Sequence, residues 1–188
     1  MTKLSLSGND RIVEGFHGIS IQRAESAIVN QQLAASHNPW DWLGDGTYFW
    51  EENMNRGIDW AMKKYGSNAA VIRANIRLGR CLDLFDSKWT PVLQVAYQRL
   101  EESYSVRGEP LPVNRGGNHS LDRQVINSVC EESYEIDTVR GPFVEGLETF
   151  PGSLLPNLTH VQIAVRNPSV IMGRLELVYP FREKLKRI

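Results

Sequence analysis

Residues 40–52 read Trp40-Asp41-Trp42-Leu43-Gly44-Asp45-Gly46-Thr47-Tyr48-Phe49-Trp50-Glu51-Glu52. Gly44 and Gly46 predict a turn in which the chain can adopt positive φ or let a ligand approach the backbone. The four residues after the turn are β-prone and predict a short strand. Tyr48 leaves the turn at the start of this strand and is therefore a candidate for a binding surface. A hairpin whose aromatic rings simply pack together explains the same pattern.

A second short segment upstream also sets a polar ring between glycines. It reads Gly15-Phe16-His17-Gly18-Ile19-Ser20. A histidine flanked by glycines is, in isolation, more often structural than functional. The presence of two such segments on one chain favours a shared site.

Length and composition indicate an ordinary globular protein. The chain has 188 residues, of which 41% are hydrophobic and 23% are charged. These values predict a single domain over residues 1–188, with a possible insertion at about 106–119, where neither a helical nor a strand period is visible. The sequence shows no signal-type leader and no membrane-length apolar run. We therefore expect a soluble protein of the cytoplasm, or one exported by a route that needs no such signal, with no membrane partner.

The net charge and the spacing of possible metal ligands argue against two further classes of function, general nucleic-acid binding and metal binding. The formal net charge of −1 argues against a general nucleic-acid-binding surface, although it leaves room for a local basic groove. Cys81 and Cys130 have no partner at metal-ligand spacing and predict two buried thiols. The four histidines form no HxxxH or HExxH pattern, so we expect no metal site.

Four helices are predicted from caps and apolar periodicity. The first follows Ser20 as its N-cap, and the second spans roughly 52–65 and is closed by Gly66. The third has Thr90 as its cap with Pro91 at the first helical position, and the fourth is capped by Ser120. In the second helix, Trp60 lies well away from the apolar stripe. It therefore either packs against another element or lines a pocket.

Strands dominate the rest of the chain. Residues 12–19, 70–78, 160–166 and 170–179 predict strands, and 70–78 alternates cleanly between an apolar and a polar face. Residues 137–146 predict a strand interrupted by Gly-Pro, and hence an edge or bulged strand. With no βαβ rhythm, the fold class is α+β on an antiparallel or mixed sheet.

The order of these features resembles the ADP-ribosyltransferase superfamily. The features are His17-Gly18, then Gly46-Thr47-Tyr48-Phe49, then a helix, then a late strand that carries Gln162. This order is similar to the diphtheria-toxin and poly-ADP-ribose-polymerase branch, which places His, Tyr and usually Glu on three strands, and to bacterial and phage toxin or defence members. The resemblance implies a split antiparallel or mixed β-sheet core with flanking helices and a cleft that binds NAD as co-substrate.

The resemblance also implies roles for individual residues. His17 would hydrogen-bond the adenosine ribose, the Gly18 backbone would hold the nicotinamide carboxamide, and Tyr48 would stack on the nicotinamide ring, with Trp60 as the second stacking aromatic. Where the family usually has a serine that binds the carboxamide, this chain reads Arg56-Gly57. The remaining residues expected around the cofactor come from the same segments and are Ser20, Gly46 and Thr47.

The third position departs from the usual pattern. Gln162 stands where the family most often has Glu, and a neutral amide can hydrogen-bond a ribose hydroxyl but cannot act as a general base. One interpretation is that Glu145 supplies the negative charge and deprotonates the acceptor. The other is that the site only orients an acceptor that is already nucleophilic. Arg140 is expected either to meet a phosphate or to pair with Asp137.

The function implied is mono-ADP-ribosyl transfer from NAD to a macromolecular acceptor, with release of nicotinamide. The acceptor is protein or nucleic acid (RNA or DNA), and a toxin role would imply a neutralising antitoxin. Two alternatives remain open: a non-catalytic module that binds NAD or ADP-ribose, and an RNA 2′-phosphotransferase on the same fold.

Overall fold

A computed structural model of the protein describes residues 8–132 and 135–180. Four helices flank the sheet: α1 (Ile21–Asn30), α2 (Met54–Tyr65), α3 (Thr90–Arg107) and α4 (Ser120–Glu131). The strands are β1 (Asn9–Ser20), β2 (Thr47–Glu51), β3 (Ala69–Gly79), β4 (Cys81–Asp83), β5 (Asn114–Arg115), β6 (Asn118–His119), β7 (Thr138–Phe143), β8 (His160–Val165) and β9 (Ile171–Tyr179).

Seven of the strands form one mixed sheet in the order β4-β7-β8-β2-β1-β3-β9. Neighbouring strands are antiparallel except β4 and β7, which are parallel. The prediction of an α+β protein with a mixed sheet and flanking helices is thus confirmed. Strands β5 and β6 form a separate two-stranded hairpin.

The predicted helices agree closely with the observed ones. Helix α2 begins after Asn53, whose side chain accepts a hydrogen bond from the backbone N–H of Arg56 (3.1 Å), and it ends at Gly66. Ser20 occupies the N-cap position of α1, but its hydroxyl makes no capping hydrogen bond. Thr90 and Ser120 are the first residues of their helices rather than the caps, a difference of one position.

Strand β3 shows why alternation was a reliable signal. Its apolar face is completely enclosed, with Ala70, Ile72, Ala74, Ile76 and Leu78 all buried. On the other face Asn75 and Arg77 are exposed, as predicted. Val71, on that same face, is buried because α2 covers this end of the strand, where Val71 packs with Ala61.

Strand β7 explains how a sheet accommodates Pro142. The short strand β4 pairs only with Thr138–Arg140, so residues Gly141–Phe143 pair with β8 alone. Proline has no N–H to donate and is tolerated on such a locally open edge. The expected edge strand is therefore confirmed for the half of β7 that carries the Gly-Pro pair.

The segment at 106–119 is more ordered than a surface loop. Helix α3 continues to Arg107, Gly108 caps it in the left-handed conformation, and the hairpin β5–β6 follows. The backbone N–H of His119 donates to the carbonyl of Pro39 (3.0 Å) and attaches the hairpin to the segment before β2. The lack of periodicity predicts a long surface loop here; most of the segment is indeed exposed, but it contains the end of α3 and a short hairpin.

The sheet opens between β1 and β2. Their ladder contains only the pairs Gly15↔Glu51 and Phe16↔Trp50, whereas β1 pairs with β3 along nearly its whole length. Beyond Phe16 the two strands separate, which divides the sheet into the halves β4-β7-β8-β2 and β1-β3-β9. One hydrophobic core nevertheless spans both halves, since Ile19 of β1 belongs to the same cluster as Phe49 of β2 and Ile163 of β8. This seam is where the fold leaves room for a ligand.

Two smaller observations complete the fold. Cys81 and Cys130 are free and half-buried, and burial raises the pKa of each thiol to about 11. No helix within the described ranges combines the length and apolar character needed to traverse a bilayer.

Candidate active-site cleft

A cleft of about 330 Å³ lies at the seam. Its walls come from β1, β2, α2, β8 and the end of β7 with the loop after it, together with the segment before β2 and the β5–β6 hairpin. Five of the residues expected at the site line it, namely His17, Tyr48, Trp60, Glu145 and Gln162. Segments separated by more than 100 residues in sequence are therefore brought to one cavity by the strand order β8-β2-β1.

His17 bridges the two strands at the point where they separate. Its Nδ1 lies 2.8 Å from the backbone carbonyl of Tyr48. Because a carbonyl can only accept, Nδ1 carries the proton, and Nε2 of the neutral ring is an acceptor. Burial lowers the pKa of His17, and the charge of Lys64 acts in the same direction. The site thus holds a neutral imidazole that can accept a hydrogen bond from a hydroxyl.

Tyr48 presents its ring to the cleft, and its hydroxyl is bound by the glycine turn. The hydroxyl accepts from the N–H of Leu43 (2.8 Å) and donates to the carbonyl of Gly44 (2.8 Å). Burial raises the pKa of Tyr48 far above its ordinary value, so the phenol stays protonated. The hydroxyl is therefore structural, and the ring face is the part available to a ligand.

Gln162 is held at both ends of its amide. Trp42 Nε1 donates to Gln162 Oε1 (2.8 Å), and Gln162 Nε2 lies 2.9 Å from His160 Nε2. His160 Nδ1 lies 2.7 Å from the carbonyl of Leu158 and therefore carries the ring proton, so that Nε2 accepts from the amide. Indole N–H is a donor only, so the amide cannot flip without placing two donors face to face.

This arrangement gives a physical reason for glutamine at position 162. Burial lowers the pKa of His160, and the charge of Arg56 adds to the effect, so the ring is neutral. A carboxylate at position 162 would face the Nε2 lone pair of that neutral ring. The neighbours of Gln162 therefore require the amide as long as His160 is unprotonated.

Glu145 lies in the loop after β7 and is paired with a cation. Its Oε2 is 2.6 Å from Arg56 Nη2, and the Glu145 side chain is 43% exposed while that of Arg56 is 14% exposed. The one carboxylate of the predicted set thus enters the cleft already neutralised by an ion pair.

Helix α2 presents a second face to the cleft. Arg56, Trp60 and Lys64 recur every four residues, which places them on one side of a helix, and all three line the cavity. Trp60 contacts the ring of Trp50 (5.6 Å between centroids), and Lys64 Nζ lies 4.5 Å from the Trp60 ring centroid. Both expectations for Trp60 therefore hold, since it packs against another element and also lines the pocket.

Five of the expected cofactor-binding residues are not among those lining the cleft, namely Gly18, Ser20, Gly46, Thr47 and Arg140. Gly18 lets α2 approach β1, since a Cβ there would lie 2.9 Å from both the Gly57 carbonyl oxygen and the Trp60 ring. A Cβ at Gly46 would lie 2.8 Å from the Val165 carbonyl oxygen. Both glycines therefore allow close packing of the elements that form the cleft.

Arg140 lies outside the cleft, and its guanidinium is bound by two carboxylates. Nε and Nη2 contact Glu51 (2.5 and 3.0 Å), and Nη1 contacts Asp83 (3.2 Å). The expected pairing with Asp137 is corrected, because Asp137 instead accepts from the backbone N–H of Arg80 and from the Asn167 amide. Glu51 is 5% exposed and also contacts Arg11, so Arg140 compensates a buried charge.

The segment before β2 is fixed by a polar cluster on α4. Asp45 contacts Arg123 (2.7 Å), the Asn127 amide (3.0 Å) and His37 (2.8 Å). Hydrogen bonds from His37 and Asn127 and the charge of Arg123 outweigh burial and lower the pKa of Asp45. The wall that carries Trp42 is therefore held against α4.

Several cleft residues were not predicted from the sequence, among them Trp42, Arg56, Lys64, His119 and Phe143. His160, which contacts Gln162 without lining the cleft, was also missed. The four-residue spacing of Arg56, Trp60 and Lys64 was a readable signal, because a polar stripe beside an off-stripe tryptophan indicates a second functional face of a helix. No comparable signal exists for Trp42 and His160, which meet through Gln162 only in the folded chain.

Comparison of the chain with protein-family models, curated proteins and solved structures gave no match.

Proposed function

We propose that the protein is an NAD-dependent mono-ADP-ribosyltransferase that modifies a macromolecular acceptor and releases nicotinamide. The observation that carries the proposal is the convergence of His17, Tyr48 and Gln162, from three adjacent strands, on one cleft. This convergence is what the resemblance to the diphtheria-toxin and poly-ADP-ribose-polymerase branch requires. Glu145 and Trp60 line the same cavity and supply a carboxylate and a second ring.

The side chains suit the steps of the transfer. The neutral His17 ring accepts from a ribose hydroxyl, and the Tyr48 ring holds a flat nicotinamide in one plane. The glycosidic bond between ribose C1′ and the pyridinium nitrogen then breaks, and nicotinamide leaves with the bonding electron pair. The acceptor nucleophile forms a new bond to C1′, and its proton passes to Glu145. Gln162 orients the ribose through its amide and takes no proton.

A second candidate is a non-catalytic module that binds NAD or ADP-ribose. It is favoured by one observation: the cleft carboxylate Glu145 is in an ion pair with Arg56, and the family's usual third carboxylate is replaced by Gln162. Both candidates need the same cleft, and only turnover separates them.

The decisive experiment follows both halves of NAD. The protein is incubated with NAD labelled in the ADP-ribose portion, separately with protein extract, RNA and single-stranded DNA, and free nicotinamide and the labelled macromolecule are measured. Nicotinamide release together with a labelled acceptor supports the transferase. Binding without release supports the module, and a requirement for 2′-phosphorylated RNA supports the phosphotransferase.

Matched variants make the assignment specific. His17→Ala and Tyr48→Ala should each remove turnover while the circular dichroism spectrum is kept. Arg73→Gln is the control, because Arg73 pairs with Glu14 and Glu176 and does not line the cleft. Full activity in either cleft variant would remove the NAD assignment.

A further inference from the structure

We infer that Arg56 and Lys64 form an anion-binding edge for the diphosphate of the dinucleotide, and that the diphosphate displaces Glu145 from Arg56. The inference rests on the proposed function. It assigns the contact with the phosphates to α2, because Arg140, the residue expected to meet a phosphate, lies outside the cleft. Binding of the first substrate would then release the carboxylate needed for the second.

The two cations lie at different parts of the cleft. They are eight residues apart on α2, or about 12 Å along the helix axis. Arg56 is at the end where Glu145 enters the cleft, and Lys64 lies 4.5 Å from the Trp60 ring centroid. The charge of Lys64 acts on His17 and that of Arg56 on His160, which is bound to Gln162. His17 and Gln162 are the residues proposed to hold the two ribose groups. In a dinucleotide the diphosphate joins these groups, so it lies along the helix face between Arg56 and Lys64.

Arg56 has unused capacity for such a ligand. Nη2 donates to Glu145, while Nε is buried with no hydrogen-bond partner among the residues that the structure describes. An unmet donor on a charged group is costly, and a guanidinium binds phosphate oxygens through two parallel N–H groups. A diphosphate brings more negative charge than Glu145 and can replace its carboxylate at Nη2. The buried Nε–H would bind a second phosphate oxygen only after the guanidinium turns toward the cleft.

Glu145 can leave without a large penalty. Its side chain is 43% exposed, so water can hydrate the carboxylate once the ion pair is broken. The released carboxylate stays in the loop beside the cleft and is free to accept a proton from the acceptor. In the absence of NAD, the same carboxylate is paired with Arg56.

If the diphosphate displaces Glu145 from Arg56, substitutions of these two residues should change ligand affinity in opposite directions. Arg56→Gln should weaken binding of NAD and ADP-ribose roughly ten- to hundredfold, the range expected when hydrogen bonds to a charged group are lost. Glu145→Gln should strengthen binding of the same ligands, because Arg56 is no longer neutralised, and it should slow transfer to the acceptor. A purely structural ion pair predicts that both variants lose stability and that neither gains affinity.

Isothermal titration tests this with ligands that do and do not contain phosphate. NAD and ADP-ribose are compared with adenosine and nicotinamide riboside, each against the wild-type protein and the variants Arg56→Gln, Lys64→Met and Glu145→Gln. The controls are Lys63→Met, next to Lys64 but outside the cleft lining, and Arg73→Gln, whose guanidinium pairs with Glu14 and Glu176. Thermal unfolding of every variant verifies that it is folded.

The expected result is a loss confined to the phosphate-containing ligands in Arg56→Gln and Lys64→Met, with both controls unchanged. Unaltered NAD affinity in Arg56→Gln, or weaker affinity in Glu145→Gln, overturns the inference and leaves the proposed function standing. If the wild-type protein binds neither NAD nor ADP-ribose, the inference and the proposed function are both wrong. Phosphate-dependent binding without nicotinamide release keeps the inference and removes the transferase.

Discussion

His17 Nδ1 and the backbone carbonyl of Tyr48 lie 2.8 Å apart and join β1 to β2 just past the end of their ladder. The side chain thus replaces the next rung of backbone pairing. Because one ring holds the seam and also faces the cleft, the position of His17 is coupled to the separation of the two halves of the sheet. The predictions that follow separate residues that bind a ligand from residues that shape the seam.

Tyr48 should divide into a functional ring and a structural hydroxyl. Tyr48→Phe leaves the N–H of Leu43 and the carbonyl of Gly44 without the hydroxyl, and we expect it to lose about 1–2 kcal/mol of unfolding free energy while nicotinamide release persists. Tyr48→Ala should lose both stability and turnover. Urea denaturation and nicotinamide assays on the two variants measure this. Loss of turnover in a folded Tyr48→Phe variant would show that the hydroxyl takes part in the reaction.

Stability should fall as the pH decreases from 7.5 to 5.5. Burial lowers the pKa values of His17 and His160 below the ordinary 6.5, so the unfolded chain takes up protons that the folded chain does not. The contribution is complete above pH 6.5 and is lost as the pH falls towards the lowered folded values.

Urea titrations at several pH values measure how the unfolding free energy depends on pH. His160→Gln should flatten the dependence of the unfolding free energy on pH relative to the wild-type protein, because one of the two buried rings is removed. An identical dependence in the two proteins would contradict the assignment.

Gln162→Glu should change the protonation of its neighbour. A carboxylate facing His160 Nε2 favours the protonated ring, so the pKa of His160 should rise above its ordinary value. The resulting stabilisation is present below pH 6.5 and is lost as the pH rises through the raised folded value. We expect nicotinamide release to be retained or raised in the range where His160 is protonated. The ring resonances of His160 and the release rate, both followed against pH, test this, and a folded but inactive variant would show that the amide makes a contact that a carboxylate cannot.

Arg140 should act on stability and not on the ligand. Arg140→Gln removes the main partner of the buried Glu51, and we expect a loss of about 3 kcal/mol in unfolding free energy, because Arg11 compensates only in part. Arg73→Gln, at an exposed pair, should cost less than about 1 kcal/mol. Denaturation and NAD titration at a temperature where the variants remain folded measure both effects. Weaker NAD binding without a stability change would restore a phosphate role for Arg140.

Gly18→Ala should open the contact between β1 and α2. The added Cβ would lie 2.9 Å from the Gly57 carbonyl oxygen, closer than a methyl group can approach, so α2 must shift. We expect a loss of about 1–3 kcal/mol in stability together with weaker NAD binding. Gly8→Ala is the control, since nothing lies within 4 Å of its Cβ position. Wild-type stability in Gly18→Ala would mean that the helix tolerates the shift.

Local signals predicted the elements well. Alternation at 70–78 identified β3, and the apolar stripe closed by Gly66 identified α2, because both signals lie in neighbouring residues of the chain. The convergence of His17, Tyr48 and Gln162 was predicted through a family resemblance and not from periodicity. No local pattern gives the strand order that brings them together.

Long-range contacts were the part that sequence reasoning missed. Trp42 is hydrogen-bonded to Gln162, 120 residues later in the sequence. Arg140 pairs with the distant Glu51 and not with Asp137, which is only three residues away in sequence. These choices depend on which strands are neighbours and in what register, and a shift of one residue would reverse the face of every side chain on a strand.

The β5–β6 hairpin has a consequence for how this cavity can diversify. It places Gly117 and His119 in the wall, and it is bonded to the segment before β2 through Pro39, while it belongs to neither half of the large sheet. Its length and composition can therefore change without disturbing any rung of the main ladder. Insertions or deletions in the hairpin would therefore change the shape of the cavity entrance, and with it the choice of second substrate, while the main sheet stays the same.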